Sequence, residues 1–361
     1  MNEFEKWDIE FRSQNLSAFN NNHNGLLWLK VRALCRGKQL KLFVRENNIH
    51  LCCTKIADQN IELFEALSKR KDAMAIIDRF LQCLNNEWYN TLGVDIDRLK
   101  ADLYKIHYYV WGGDQNNSLD RYFVNHYVKI ISNFTELQSR QTEIGVNAWN
   151  YVQNSWYNNW TSFVIESFFK QNPRVISAVG EIKSVDFFID NYPLDLKVTF
   201  FPNQFMEQKI KLALGKSSLS WLKEKCKVIG ITCDKGFSTQ QQIYTLMEKL
   251  REIERLDIML PLENTRREII EESQNNPMEL MKWLYENQGE MRFGAENRIY
   301  LVLADSKDFT QSWKMKRAFA LIEPKVNEYL EAFSTKTLKT VEFEFKKKRY
   351  NALSDILYIV R

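Results

Sequence analysis

The chain has 361 residues, more than one small core needs, so one large or two modest domains are expected. No run of about 18 apolar residues marks a membrane span and nothing resembles a signal peptide, so a cytoplasmic location away from membranes is expected. The net charge of +4 is too mild to name a partner, and the six cysteines, with no C-x-x-C spacing, read as reduced thiols, not as a zinc site or a disulfide framework.

Residues 1–112 open with a polar, Asn-rich segment around Asn20 to Asn24. Three strand-like runs follow, Leu26 to Leu34, Leu40 to Val44 and Ile49 to Thr54. Arg36-Gly37-Lys38 and Glu46-Asn47-Asn48 supply turn chemistry between them, which predicts a small antiparallel meander. Helical patterns come next, at Ile61 to Leu84 and Ile96 to Val110. His23, His50, His107 and His126 share no metal-ligand spacing, and no histidine follows them. That argues against a histidine-based hydrolytic site in the C-terminal half. Residues 1–112 are therefore expected to form an accessory or recognition domain.

Gly112 to Ser118, small, polar and without periodicity, is the expected linker. Leu119 to Leu137 and Glu143 to Lys170 then read as helices rich in aromatic residues. Bases can stack on such rings, but a stripe at helical spacing is more often core.

Ser184 to Phe200, SVDFFIDNYPLDLKVTF, is the stretch with the most chemistry. Two apolar runs flank Asp190-Asn191-Tyr192-Pro193, which predicts a β-hairpin. A four-residue loop at 190–193 would pair Ile189 with Leu194 and Asp186 with Lys197. Alternation then puts Asp186, Asp195 and Lys197 on one face, with the two acids as diagonal neighbours roughly 7–8 Å apart. Both carboxylates could grip one divalent cation. The same residues could also form an ordinary Asp–Lys ion pair on an exposed hairpin.

Asp186, followed by Asp195-Leu196-Lys197, resembles the signature of the PD-(D/E)XK nuclease superfamily, which includes many type II restriction endonucleases. Val185 stands where the family name puts proline. The resemblance implies an α/β (or α+β) fold over residues 113–361, with a restriction-endonuclease-like central mixed sheet flanked by helices. It implies Mg²⁺-dependent hydrolysis of double-stranded DNA, with Mn²⁺ as a substitute ion. Asp186 and Asp195 would be metal ligands and Lys197 would orient the attacking water or offset charge. Glu166, in an amphipathic helix before the hairpin, matches the position from which that family often draws a further acid. A defence nuclease of other specificity and a catalytically silent DNA-binding module are the alternatives.

Beyond the hairpin, Gln204 to Leu214 and Ser220 to Lys225 read as helices and Val228 to Cys233 as a strand. Seven lysines against two glutamates lie between Lys197 and Lys227. Lys209, Lys211 and Lys216 either contact phosphates or make a solvated helix face. Residues 240–296 are expected to be helical and, being acidic from Glu263, to face away from DNA. A strand at Ile299 to Ala304, a helix at Lys314 to Phe333 broken or kinked at Pro324, and strands at Thr340 to Phe345 and Asp355 to Val360 complete the chain. The connecting Lys346-Lys347-Lys348-Arg349 either reaches a groove or is an exposed turn. Cutting both strands of a palindrome would favour a homodimer.

Overall fold

A computed structural model of the chain describes residues 2–34, 37–109, 122–178, 185–287, 296–334, 336–345 and 347–361. Its centre is a mixed, unclosed six-stranded sheet in the order β1-β2-β3-β4-β6-β5. The strands are β1 (Val175–Ser177), β2 (Phe187–Ile189), β3 (Tyr192–Phe200), β4 (Arg298–Ala304), β5 (Lys339–Phe345) and β6 (Lys348–Val360). β1, β2 and β3 are antiparallel, β3, β4 and β6 run parallel, and β5 returns antiparallel to β6. The late strands thus continue the sheet that starts at the hairpin, as expected.

The central strand β4 is buried along its whole length, the pattern of a strand covered on both faces. On one face, Leu194, Leu196, Ile299, Leu301 and Leu303 pack under the 30-residue helix Gln141–Lys170 and the helix Phe319–Ala332. On the other, Tyr300, Val302 and Ala304 meet a layer of five helices. These are Asn203–Leu214, Ser218–Val228, Thr239–Glu252, Leu256–Asn275 and Pro277–Asn287.

The described residues up to Leu103 correct the expected meander. They are helical: α1 (Glu3–Arg12), α2 (His23–Ala33), α3 (Gly37–Glu46), α4 (Ile56–Ser68), α5 (Ala73–Thr91) and α6 (Ile96–Leu103). Leu26-Leu27-Trp28-Leu29 is buried at four successive positions of α2, and such a continuous apolar run does not distinguish a strand from a central helix. Residues 49–54 form no strand, and the pattern from Ile61 to Leu84 is split by a break at 69–72. Three further expectations are corrected. Leu119 to Leu137 is not one helix, because Asn133 caps a new start at α7 (Phe134–Ser139). Val228 to Cys233 is not a strand: Val228 ends a helix, and Gly230, at φ 73°, turns the chain back so that the Ile231 N–H bonds Cys226 O. The last helix runs unbroken through Pro324, its start lying at Phe319.

Gln141–Lys170 is α8, the five-helix layer α9 to α13 in chain order, and Phe319–Ala332 α14. The expected linker, Gly112 to Ser118, and Lys346 lie outside the described residues. No helix among the described residues is long and apolar enough to cross a membrane.

Candidate active site

The β2–β3 hairpin differs in register from the four-residue loop expected above. Ile189 pairs with Tyr192, Phe188 with Pro193 and Phe187 with Leu194, leaving Asp190-Asn191 as a two-residue turn. Asp190 adopts φ 51°, which Asp tolerates better than most residues. Pro193 fits inside β3 because pairing with β4 begins only at Asp195, so the missing N–H is not needed on that side. Asp186 is therefore not opposite Lys197. The two-residue shift keeps the faces of the paired residues, but Asp186 lies beyond β2. Val185 and Phe188 share one apolar cluster while Phe187 belongs to another, so the expected alternation does not carry Asp186 onto the face of Asp195.

Asp186 sits where regular pairing ends. Its N–H donates to Leu194 O at 2.9 Å, and its Oδ2 accepts the Leu196 N–H at 2.8 Å. The carboxylate thus takes a ladder position against the backbone of Asp195-Leu196. Burial pushes the Asp186 carboxyl up to about 6, and the negative charges of Asp195 and Glu166 add to that.

Asp195 is buried, and both of its oxygens are engaged by cations. Lys197 Nζ donates to Oδ1 at 2.8 Å, and Arg298 Nε to Oδ2 at 2.9 Å. The parallel register sets Arg298 beside Asp195, and Lys197 lies two residues on along the same face of β3. Arg298 also binds Glu296 and lies over the Tyr285 ring, 5.3 Å from its centroid. Burial raises the Glu296 carboxyl, while Arg298 and Lys197 oppose that rise. Lys197 itself is about half exposed, so its ammonium can meet a solute. Asn297 holds the neighbourhood together: its amide donates to Asn20 Oδ1 and Pro193 O, and its Oδ1 accepts the Leu353 N–H.

Glu166 lies on α8 and pairs with Lys170 at 3.0 Å. It borders a cleft against Trp88 of α5. Of the basic candidates, Lys209 bridges Glu279 at 2.7 Å and Glu272 at 3.8 Å, and Lys216 pairs with Glu224. Lys211 sits on α9. Lys347 is in the β5–β6 turn at φ 65°, and Lys348 and Arg349 open β6. Since Ser354 shares a row with Arg298 and Asp195, Lys348 lies six residues, or roughly 20 Å, along the strand from that row.

Among the described residues no group of three or more His, Cys, Asp or Glu side chains is placed to hold a metal ion. What stands together is a pair of acids with a lysine. Magnesium commonly takes one or two carboxylates and completes its shell with water and phosphate, so the pair suits it. Arg298 and Glu296 carried no signal in the sequence, because their role depends on β4 lying beside β3. Comparison with protein-family models, curated proteins and solved structures found no match.

Proposed function

We propose that the protein is a Mg²⁺-dependent endonuclease of DNA, working in the cytoplasm. The observation that carries this reading is the carboxylate of Asp186 lying against Asp195-Leu196, with Lys197 Nζ 2.8 Å from Asp195. Burial of the Asp186 carboxyl, with the charge of Asp195 beside it, raises it, so a bound cation would be stabilised there. Asp186 and Asp195 would hold the ion. Glu166 would join them on release from Lys170.

When bound, the cation supplies positive charge that acidifies water and offsets charge growing on a phosphate. The side chains do the rest. Asp186 must be ionised to hold a cation, which its burial and the charge of Asp195 oppose. Lys197 presents an ammonium at the exposed edge of the site, where it orients water or meets charge developing on the phosphate. Proton abstraction is left to solvent. Lys211, Lys347, Lys348 and Arg349 are cations suited to phosphates at a distance from the cut, and a palindromic target would call for two copies of the chain.

One observation favours a second reading. Arg298 already neutralises Asp195, so the cluster also suits a structural ion-pair network in a DNA-binding module without catalysis. Incubating the purified protein with supercoiled plasmid, in Mg²⁺ and in EDTA, separates the two. Nicked or linear product only with Mg²⁺ supports the nuclease, and intact plasmid with retained DNA binding supports the module.

A further inference from the structure

Between α5 and α8, a cleft of about 560 Å³ opens to solvent, within the roughly 300–1,000 Å³ of small-ligand sites. Its walls combine two chemistries. Phe163 lies edge-on to two indoles, those of Trp88 and Trp160, with ring centroids 5.7 and 5.4 Å away. Trp88 is 45% exposed, so part of a large π surface is left to solvent at the cleft wall. Asn159 and Ser162 add an amide and a hydroxyl, and Glu166 lines the same cleft. Aromatic rings bind other flat π systems through their faces, while amide and hydroxyl groups pair with a polar edge.

Position narrows the choice of ligand. Glu166 lines the cleft, and one turn further along α8 Phe169 stacks on Phe187, the neighbour of Asp186, with ring centroids 5.5 Å apart. A ligand with a phosphate beside Asp186 therefore has its flat, polar-edged part within reach of Trp88. A nucleotide has both parts.

We infer that the cleft between α5 and α8 binds a nucleobase, stacked on Trp88 with its polar edge toward Asn159 and Ser162. The inference rests on the nucleic-acid reading of the neighbouring acids. The base is supplied by a polynucleotide strand or by a free mononucleotide, and it must be unstacked from its neighbours, since a paired base in a duplex presents no free face.

The test is fluorescence anisotropy in EDTA, which reads binding without cleavage. The probes are a short end-labelled single strand of DNA and a strand of the same length made wholly of abasic residues. Trp88→Ala should weaken binding of the base-bearing strand roughly 5- to 150-fold, the range for loss of one stacking partner, and leave the abasic strand unaffected. Trp88→Phe should retain most of the affinity. If free deoxyadenosine monophosphate displaces the strand from the wild type, a mononucleotide is a sufficient source of the base. If it does not, the strand is the source. Equal effects of Trp88→Ala on both strands, or no effect on either, would overturn the inference. Should Trp88→Ala fail to melt cooperatively, Trp160→Ala is read in the same way. Plasmid cleavage with a silent Trp88→Ala would sink the cleft alone, whereas base-dependent binding without cleavage would sink only the nuclease.

Discussion

At the scale of single residues, Asp186 couples function to stability. Its carboxyl titrates near 6 in the folded protein and at about 3.8 ordinarily, so the folded state holds the proton more tightly. Stability from this group is present below about pH 4 and is lost as pH rises to about 6. Asp186→Asn removes the penalty. The variant should be more stable than wild type above pH 6, by roughly 2–3 kcal/mol, and equal to it near pH 4. Thermal melts at the two pH values check this; equal stability at pH 8 would contradict a desolvation penalty on the Asp186 carboxylate. Arg298 tests the other side of the cluster. It is buried with Asp195 and Glu296, so Arg298→Met leaves two buried carboxylates with Lys197 as their remaining cation. A loss of about 3–5 kcal/mol in urea unfolding is expected. A variant as stable as wild type would assign the network little weight.

At the scale of elements, the hairpin carries the site and its turn does not. Asp190 is in the turn, paired with Arg174 at 2.9 Å on the partly exposed surface. Asn tolerates the same left-handed backbone, and an exposed ion pair is worth about 0–1 kcal/mol. Asp190→Asn should therefore keep wild-type cleavage and lose at most about 1 kcal/mol, read by plasmid cleavage and urea unfolding side by side. The triplet of Asp186, Asp195 and Lys197 was legible as a motif, but alternation did not place Asp186 on the face of Asp195, because the in–out pattern breaks between Val185 and Phe188. The register itself was not legible, since Tyr192-Pro193 reads equally as turn or strand until β4 is in place. The same limit hid Arg298, which reaches Asp195 across 103 residues of chain. The α2 segment failed for another reason: a wholly apolar run carries no period to read.

At the scale of the whole molecule, the N-terminal helices are joined to the sheet more closely than a linker-separated domain would be. Val185 and Phe188 of the hairpin region belong to the same apolar cluster as Trp28, Phe43 and Phe64. Asn85 of α5 donates to Lys170 O at 3.0 Å, and Arg317 donates to Leu103 O at 2.9 Å. Removing residues 1–112 uncovers Phe188, whose burial alone is worth about 1.5–3 kcal/mol. Residues 113–361 on their own should therefore show no cooperative melt, whereas the intact chain should unfold in one transition. A cooperative melt of the shortened chain would show that the sheet folds without these helices. Helices and late strands were legible from periodicity, but the sharing of cores between distant segments was not, because contacts across the chain leave no local pattern.

The most direct test of the whole account is the rate of plasmid cleavage in Mg²⁺ by wild type, Asp186→Asn and Lys197→Ala, each confirmed to be folded and to bind DNA. Wild type should cut with Mg²⁺ and not with EDTA. Both variants should lose cleavage by at least about a hundredfold while keeping most of their DNA affinity, as expected when charge stabilisation in the transition state is removed. Cleavage by folded Asp186→Asn or Lys197→Ala at the wild-type rate, or none by wild type in either Mg²⁺ or Mn²⁺, would contradict it.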